Sequence, residues 1–314
     1  MNIGNYYIPS ELIYSLAAVF GVLLLASFSF GIYGRRKPSE TVDKLKLITR
    51  SWWFMTLGVT LAILAPPVFG TILLAYVSFV ALREMFSISG YRESDRPALF
   101  IAYFAIPVQY YLAYEMYYIE FLCFIPVVMF ISIPLILVLT GKTTRIGRSM
   151  CFIPTELMLT VYMISHIALL YNVEVPGFEV GPGGLILYLL ALTSFNDIFQ
   201  YIWGKLLGKR KIIPRVSPNK TWAGFIGGIL TTAGLAVLIR FLTPLTLPEA
   251  FIMGFCLGIM GFMGDAVMSA IKRDLELKDT DDLIPGHGGA MDRLDSIVIT
   301  APVFYYLLTY MISH

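Results

Sequence analysis

The chain is organised around the stretch Gly264–Ser296, which reads GDAVMSAIKRDLELKDTDDLIPGHGGAMDRLDS. This stretch gathers Asp, Lys, Arg, His and Gly between two apolar runs, in a protein of 314 residues that is 57% hydrophobic and only 14% charged. In ordinary soluble domains about a quarter of the residues are charged. Together with a mean hydropathy of +0.75, this composition predicts an all-α polytopic membrane protein with its polar chemistry concentrated at one boundary.

Ten apolar runs are long enough to cross, or nearly cross, a bilayer core of about 30 Å. They lie at residues 11–34, 52–65, 67–83, 97–113, 118–140, 150–171, 183–204, 222–242, 248–271 and 296–313. Pro66 and Pro67 separate the second run from the third, and proline favours a break there. One kinked span over 52–83 is the alternative, which makes nine spans.

The distribution of basic residues favours ten spans. With ten, the basic loop 35–50 lies on the same side as loops 84–96, 141–149, 205–221 and 272–295, whereas nine spans would put it opposite the other four. The positive-inside rule therefore predicts cytoplasmic basic loops and two outer termini. We expect an integral protein of a bacterial inner (plasma) membrane, with the chemistry on its cytoplasmic side.

The spans form one integrated membrane domain, in which we distinguish an N-terminal transmembrane region, 1–149, from a C-terminal region, 150–314, that carries the polar chemistry. Small residues recur on the ninth span at Gly254, Gly258, Gly261 and Gly264. Such spacing lets helices approach closely. It predicts tight packing of this span and leaves a homodimer open.

An acidic residue lies inside the ninth span. In a helix, Asp265, Ser269, Lys272 and Arg273 fall on one face, and Asp265 lies about two turns, or roughly 10 Å, deeper in the membrane than Lys272. Asp197 lies at a similar depth in the seventh span. Ionisable groups at such depth are costly and by default indicate a functional site, although an ion pair that merely aids packing is the structural alternative.

Two segments have the features of anion-binding sites. Ser217, followed by Pro218, predicts an N-cap that opens the eighth span, and the free N–H groups there, joined by Lys220 and Thr221, form a natural phosphate site. In the segment 285–289, PGHGG, paired glycines allow successive N–H groups to converge on an anion. No second His or Cys stands at ligand spacing from His287, so a phosphate hydrogen bond or a structural role is expected for it.

The last span begins with acids as well. Asp292, Asp295 and Ser296 share one face and return a carboxylate to the membrane surface opposite Asp265. Two carboxylates from separate helices suit Mg²⁺, which completes its coordination with water and substrate phosphates. The combination with nearby Lys and Arg predicts phosphoryl or nucleotidyl transfer, in which positioning and electrostatics account for most of the catalysis.

Two blocks of sequence carry a further pattern. The first consists of SAIKR at 269–273, KD at 278–279, PGHGG at 285–289 and DRLD at 292–295, and the second is VSPNKTWAGF at 216–225. They resemble the signature of the CDP-diacylglycerol synthases, also called phosphatidate cytidylyltransferases, and the close match covers roughly residues 195–296. The resemblance implies formation of CDP-diacylglycerol and pyrophosphate from CTP and phosphatidic acid, with Mg²⁺ and with K⁺ as a monovalent cation. By motif position, the metal-binding acids of the family fall on Asp265 and Asp292.

Chemistry and resemblance together assign the roles. The expected catalytic residues are Asp265, Asp292, Lys272, Arg273 and Asp295. The expected substrate-binding residues are Ser217, Lys220, Thr221, Ser269, Lys278, Asp279, His287, Gly288, Gly289, Arg293 and Asp197. The expected partners are CTP, phosphatidic acid or a related lipid phosphate, and the lipid bilayer, with no nucleic acid.

The sequence departs from the family pattern at Asp281, at Ala290 and at residues 198–200, where Ile, Phe and Gln replace small residues after Asp197. A cytidylyltransferase for a different lipid phosphate and a non-catalytic paralogue are therefore open alternatives. A transporter is disfavoured, because transporters carry polar groups near the bilayer midplane in two related halves, whereas here they are confined to one face of the C-terminal half.

Overall fold

The computed structural model describes residues 2–3, 6–7, 9–36, 39–277, 280–281 and 288–313. Its long helices are α1 Ser10–Arg36, α2 Glu40–Leu64, α3 Pro67–Ile88, α4 Arg96–Tyr114, α5 Tyr118–Leu139, α6 Ile146–Asn172, α7 Gly181–Leu207, α8 Trp222–Leu238, α9 Leu247–Asp274 and α10 Met291–Ser313. Asn2–Ile3 pairs with Tyr6–Tyr7 ahead of α1. Among the described residues, nine of these helices are long and apolar enough to span a membrane, and the 17-residue α8 is shorter. The protein is an all-α polytopic membrane protein, as predicted.

The apolar stretch 52–83 is divided between two helices. α2 ends at Leu64, and α3 begins with Pro67 in its first turn, where the missing N–H of proline costs no hydrogen bond. The two helices pack against each other, and the hydroxyl of Tyr171 donates to the carbonyl of Ala62 at 2.8 Å beside this corner. The prediction of a break is confirmed, and the single kinked span is wrong.

Two predicted boundaries are wrong. The segment 35–50 is mostly helical rather than a loop, because α1 extends to Arg36 and α2 begins at Glu40 with Ser39 as its N-cap. The eighth helix ends at Leu238, before a separate 3₁₀ turn at Arg240–Leu242. Hydropathy detects only the membrane-embedded part of a helix. It misses polar turns that extend the helix beyond the membrane, such as the start of α2.

The glycines of α9 bring it against its neighbours, as predicted. A side chain added at Gly254 would meet Ala233 and Ala236 of α8, and one at Gly264 would meet the backbone of α10 at Asp295 and Ser296. Since real side chains could not occupy these positions without a shift, close approach of α9 to α8 and α10 depends on glycine.

Helices from the two predicted regions pack directly on one another. α6 lies against α3 and α4 from the first region and against α10 from the second. The imidazole of His166 on α6 and the hydroxyl of Tyr306 on α10 are hydrogen-bonded at 3.0 Å. A boundary at residue 149 stays a prediction.

Candidate active site

Two ion pairs lie at the end of the bundle where α9 ends and α10 begins. Lys220 Nζ is 2.6 Å from Asp265 Oδ2, and Lys272 Nζ is 2.6 Å from Asp292 Oδ1. The side chains of the second pair are 11% and 4% exposed, and those of the first are 12% and 28% exposed. Both carboxylates of the predicted metal site are therefore held by lysine ammonium groups in this structure.

The remaining carboxylate oxygens accept hydrogen bonds from neutral donors. Ser269 Oγ donates to Asp265 Oδ1 at 3.0 Å. Asp292 Oδ2 accepts from Thr280 N at 2.9 Å and from Gly289 N at 3.0 Å, and it lies 3.0 Å from the Thr280 hydroxyl oxygen, whose single hydrogen is shared with the contact to Glu84. Each carboxylate thus has one oxygen fixed by neutral groups and the other facing a positive charge.

Asp197 of α7 and Asp295 of α10 complete the acidic cluster. Ser296 Oγ donates to both oxygens of Asp197, at 3.2 and 3.1 Å, and Ser296 N donates to Asp295 Oδ1 at 2.8 Å. Both Asp197 and Asp295 interact electrostatically with Asp265. Carboxylates from α7, α9 and α10 therefore share one site.

The prediction that Ser217 caps α8 is wrong. Thr221 is the N-cap, with its Oγ1 accepting from Gly224 N at 3.1 Å. Ser217 lies in the preceding turn, and its N–H donates to the carbonyl of Ile213 at 2.9 Å. A short antiparallel bridge between Lys211 and Thr221 closes the loop of turns between them, and Thr221 itself has extended backbone. The candidate anion site at the start of α8 therefore lies at Thr221 rather than at Ser217. The Thr221 hydroxyl is buried and accepts the capping hydrogen bond from Gly224 N.

Basic side chains from the loop before α8 and from the end of α9 border the acidic cluster. Lys220 Nζ lies 4.4 Å from the centre of the Phe262 ring, a cation–π contact. Arg273 Nε donates to the carbonyl of Val216 at 3.3 Å and its Nη1 donates to that of Leu277 at 2.8 Å. Arg273 thereby ties the end of α9 to the loop that carries Lys220.

The remaining predicted residues divide into two groups. Gly289 gives its N–H to Asp292, Gly288 has a positive φ of 81° that suits glycine, and Arg293 interacts electrostatically with Asp197. The other predicted residues, Lys278, Asp279 and His287, lie outside the described residues.

Sequence reasoning missed Glu84 and Thr280. Glu84 of α3 accepts hydrogen bonds from Ala290 N at 2.7 Å, from Met291 N at 3.1 Å and from the hydroxyl of Thr280. Glu84 has two sequence signals: it is an acidic residue that ends an apolar run, which equally fits a solvated helix end, and it belongs to the segment Leu82–Glu84, where the N-terminal half is similar to the family pattern. The partners lie about 200 positions away, beyond any local pattern.

The bulky residues that follow Asp197 lie on the outer surface of α7 or against α8. Ile198 is exposed, the Phe199 ring stacks on Phe195 with centroids 5.8 Å apart, and Gln200 occupies space left by Gly228 of α8. These departures from the family pattern therefore change the outer surface of α7 and its contact with α8.

The predicted Mg²⁺ ligands are the carboxylates of Asp265 and Asp292. No three His, Cys, Asp or Glu side chains come close enough to hold a metal ion together in the part of the chain that the structure describes. Mg²⁺ is usually bound by one or two carboxylates, with water and phosphate oxygens completing the shell. Asp265 Oδ2 and Asp292 Oδ1 each face a lysine ammonium group at 2.6 Å, so a metal ion bound there would take the place of these lysines.

A helical membrane bundle with paired acids and lysines at one end suits a membrane-embedded nucleotidyltransferase. The model of the cytidylyltransferase family matches residues 46–311. An uncharacterized protein of Escherichia coli, YnbB, is 38% identical over 297 residues, which are 94% of this chain and 98% of that protein. The chain belongs to the cytidylyltransferase family.

Relatives with a named activity match over shorter segments. The phosphatidate cytidylyltransferase of Bacillus subtilis is 37% identical over 140 residues, which are 44% of this chain and 52% of that enzyme. The phosphatidate cytidylyltransferase of Rickettsia bellii is 38% identical over 131 residues, 39% of this chain and 57% of the enzyme. The chain spans about half the length of these two relatives.

Proposed function

We propose that this protein transfers the cytidylyl group of CTP to phosphatidic acid, which yields CDP-diacylglycerol and pyrophosphate for phospholipid synthesis. The observation that carries the proposal is the pairing of Asp265 with Lys220 and of Asp292 with Lys272 at one end of the bundle. Such a site can bind both a cation and a polyphosphate, because its carboxylates can hold the cation and its ammonium groups can hold the phosphates. The names of the relatives from Bacillus and Rickettsia support the choice of phosphatidate.

The reaction needs little proton transfer from the protein. A phosphate monoester has a second pKa near 6 and is mostly dianionic at neutral pH, so its oxygen attacks the α-phosphorus of CTP without a strong base. The bond between that phosphorus and the oxygen bridging to the β-phosphorus breaks, and pyrophosphate leaves with the electron pair. The protein must therefore orient two anions and cancel their charge.

The basic residues perform that task. Lys220, Lys272 and Arg273 bind the triphosphate, and Arg293 with Asp197 borders the lipid headgroup. Mg²⁺, held by Asp265 and Asp292 with K⁺ as a further cation, would supply additional charge neutralisation at the phosphates. Each lysine that leaves its aspartate for the nucleotide gives up an ion pair of 2.6 Å, so nucleotide and cation binding are coupled.

The test is CDP-lipid formation by purified protein from labelled CTP and phosphatidic acid, with Mg²⁺ and after its removal by EDTA. We expect product with Mg²⁺, none with EDTA, and loss of product in Asp292→Asn. Asp43→Asn, the same change at a surface carboxylate paired with Lys46, should retain activity. A folded protein without product from any lipid phosphate would refute the proposal and favour a non-catalytic paralogue.

A cytidylyltransferase for another lipid phosphate is the second candidate. The bulky Ile198 and Phe199 on the outer surface of α7, next to Asp197, favour it, because an acyl chain bound at that surface would contact them. Isoprenoid phosphates and lysophosphatidic acid belong in the same assay. Product from one of these but not from phosphatidic acid would establish this candidate instead.

We further propose that the site faces the cytoplasm of a bacterial inner membrane and that both termini lie outside. Cysteines introduced at Lys209 and Glu174, which are exposed in loops at opposite ends of α7, test this in a variant without Cys123, Cys151 and Cys256. A membrane-impermeant maleimide added to intact spheroplasts should label Glu174→Cys only. Labelling of Lys209→Cys would reverse the orientation.

A further inference from the structure

The carboxylate of Glu84 lies at the start of α10, although Glu84 itself belongs to α3. Glu84 is 4% exposed. Its Oε2 accepts from Ala290 N at 2.7 Å, and its Oε1 accepts from Met291 N at 3.1 Å and from the Thr280 hydroxyl. A side chain from the N-terminal region thus reaches the segment that carries Asp292.

The hydrogen bonds that Glu84 accepts fix the backbone at that point. Ala290 is the N-cap of α10 and Met291 is its first residue, and backbone N–H groups at this position have no acceptor within the helix. Carboxylates are favourable at such a terminus, and hydrogen bonds to an ionised acceptor are stronger than neutral ones. Glu84 therefore determines where α10 begins.

The same backbone orients Asp292. Gly289 N and Thr280 N both donate to Asp292 Oδ2, and the Thr280 hydroxyl lies between the carboxylates of Glu84 and Asp292. Gly289 is packed so closely on Glu84 and Thr280 that an added Cβ would collide with both. A change at Glu84 is transmitted to Asp292 through these two residues.

We infer that Glu84 is a positioning residue that holds Asp292 in place for cation and nucleotide binding. The inference rests on the proposed function and deepens it, because it makes the N-terminal region part of the active site. Glu84→Gln replaces one acceptor oxygen with an NH₂ group. This group is a donor, so it cannot accept the hydrogen bond that the oxygen accepted. Partners of this kind around a metal ligand typically change affinity or activity by about 10- to 100-fold.

The kinetic experiment compares purified wild type, Glu84→Gln and Glu84→Asp over a range of Mg²⁺ concentrations. We expect Glu84→Gln to lower kcat and raise the Mg²⁺ concentration for half-maximal activity by about 10-fold or more, with little change in KM for the lipid. Glu84→Asp, which keeps the charge, should recover part of kcat. The control is Glu249→Gln, the same change in the first turn of α9, where Glu249 Oε2 accepts from Thr246 N at 2.8 Å. Wild-type kcat and Mg²⁺ dependence in Glu84→Gln would overturn the inference.

Hydrogen exchange gives a readout that does not need activity. In Glu84→Gln, exchange should rise in the peptide 288–294 and stay at the wild-type level in α4 and α5. Unchanged exchange in this peptide would overturn the inference. An equal rise of exchange in every helix would also overturn it, because it would indicate a general structural role for Glu84. If wild-type protein makes no CDP-lipid, the proposed function fails, while hydrogen exchange still decides whether Glu84 positions Asp292.

Discussion

Replacing Lys272 by Met should destabilise the protein strongly, because it leaves Asp292 charged and without its cation. Lys272 and Asp292 form a pair at 2.6 Å with side chains that are 11% and 4% exposed. Removing one partner of a buried pair costs about 3–5 kcal/mol. Two backbone N–H donors still reach Asp292 Oδ2, so we expect about 3 kcal/mol, the lower end of that range.

The pair of Lys220 with Asp265 provides the matched control. Its carboxylate is 28% exposed, and solvent screening reduces the contribution of exposed pairs to about 1 kcal/mol or less. Lys220→Met should therefore cost clearly less than Lys272→Met. The double variant Lys272→Met/Asp292→Asn should recover most of the loss, since an asparagine oxygen still accepts from Thr280 N and Gly289 N.

The measurement is equilibrium unfolding in mixed micelles, followed by the fluorescence of the four tryptophans. Reversibility is checked by dilution back to native conditions. A loss below about 1 kcal/mol in Lys272→Met, the range of exposed pairs, would refute the reasoning. So would a double variant that is as unstable as the single one, because the cost would then come from lost packing of the lysine stem.

The same assay tests two further features. Thr221→Ala should cost about 1 kcal/mol as the loss of an N-cap, whereas Ser217→Ala should stay within about 0.5 kcal/mol; the reverse order would restore Ser217 as the cap. Gly289→Ala should cost about 1–3 kcal/mol by overpacking against Glu84 and should lower CDP-lipid formation. Gly234→Ala, with open space around it in α8, should be neutral or stabilising, and an equal loss in both glycine variants would contradict the packing argument.

The helices could be predicted because a bilayer imposes length and apolarity on each one. The break at Pro66 also followed from local chemistry, since proline removes a backbone donor. The cap of α8 could not be chosen locally, because Ser217 and Thr221 both suit that position. Two tertiary contacts decide it: Lys211 pairs with Thr221, and Thr221 packs on Gly204 of α7 and on Gly208 just after that helix.

The residue types of the site were predictable, but their partners were not. The helical spacing that brings Ser269 to Asp265 is a property of one helix. Which lysine meets which aspartate depends on how α9 and α10 pack, and Glu84 enters the site from a third helix. Contacts between residues so far apart in sequence follow from the assembled fold, and no single segment carries them.

We expect that the charges of Lys272 and Asp292 are not needed to hold the fold together, which the double variant tests. A neutral Met and Asn pair would satisfy the same amides at Thr280 and Gly289, and ion pairs buried in proteins add little net stability once the cost of removing both charges from water is counted. A binding role explains the charges better, since Lys272 and Asp292 are both useful when a polyphosphate and a cation arrive together. Their pairing compensates each charge and would have to open for a polyphosphate and a cation to bind, so the stability of Lys272→Met and the activity of Asp292→Asn test two properties of the same ion pair.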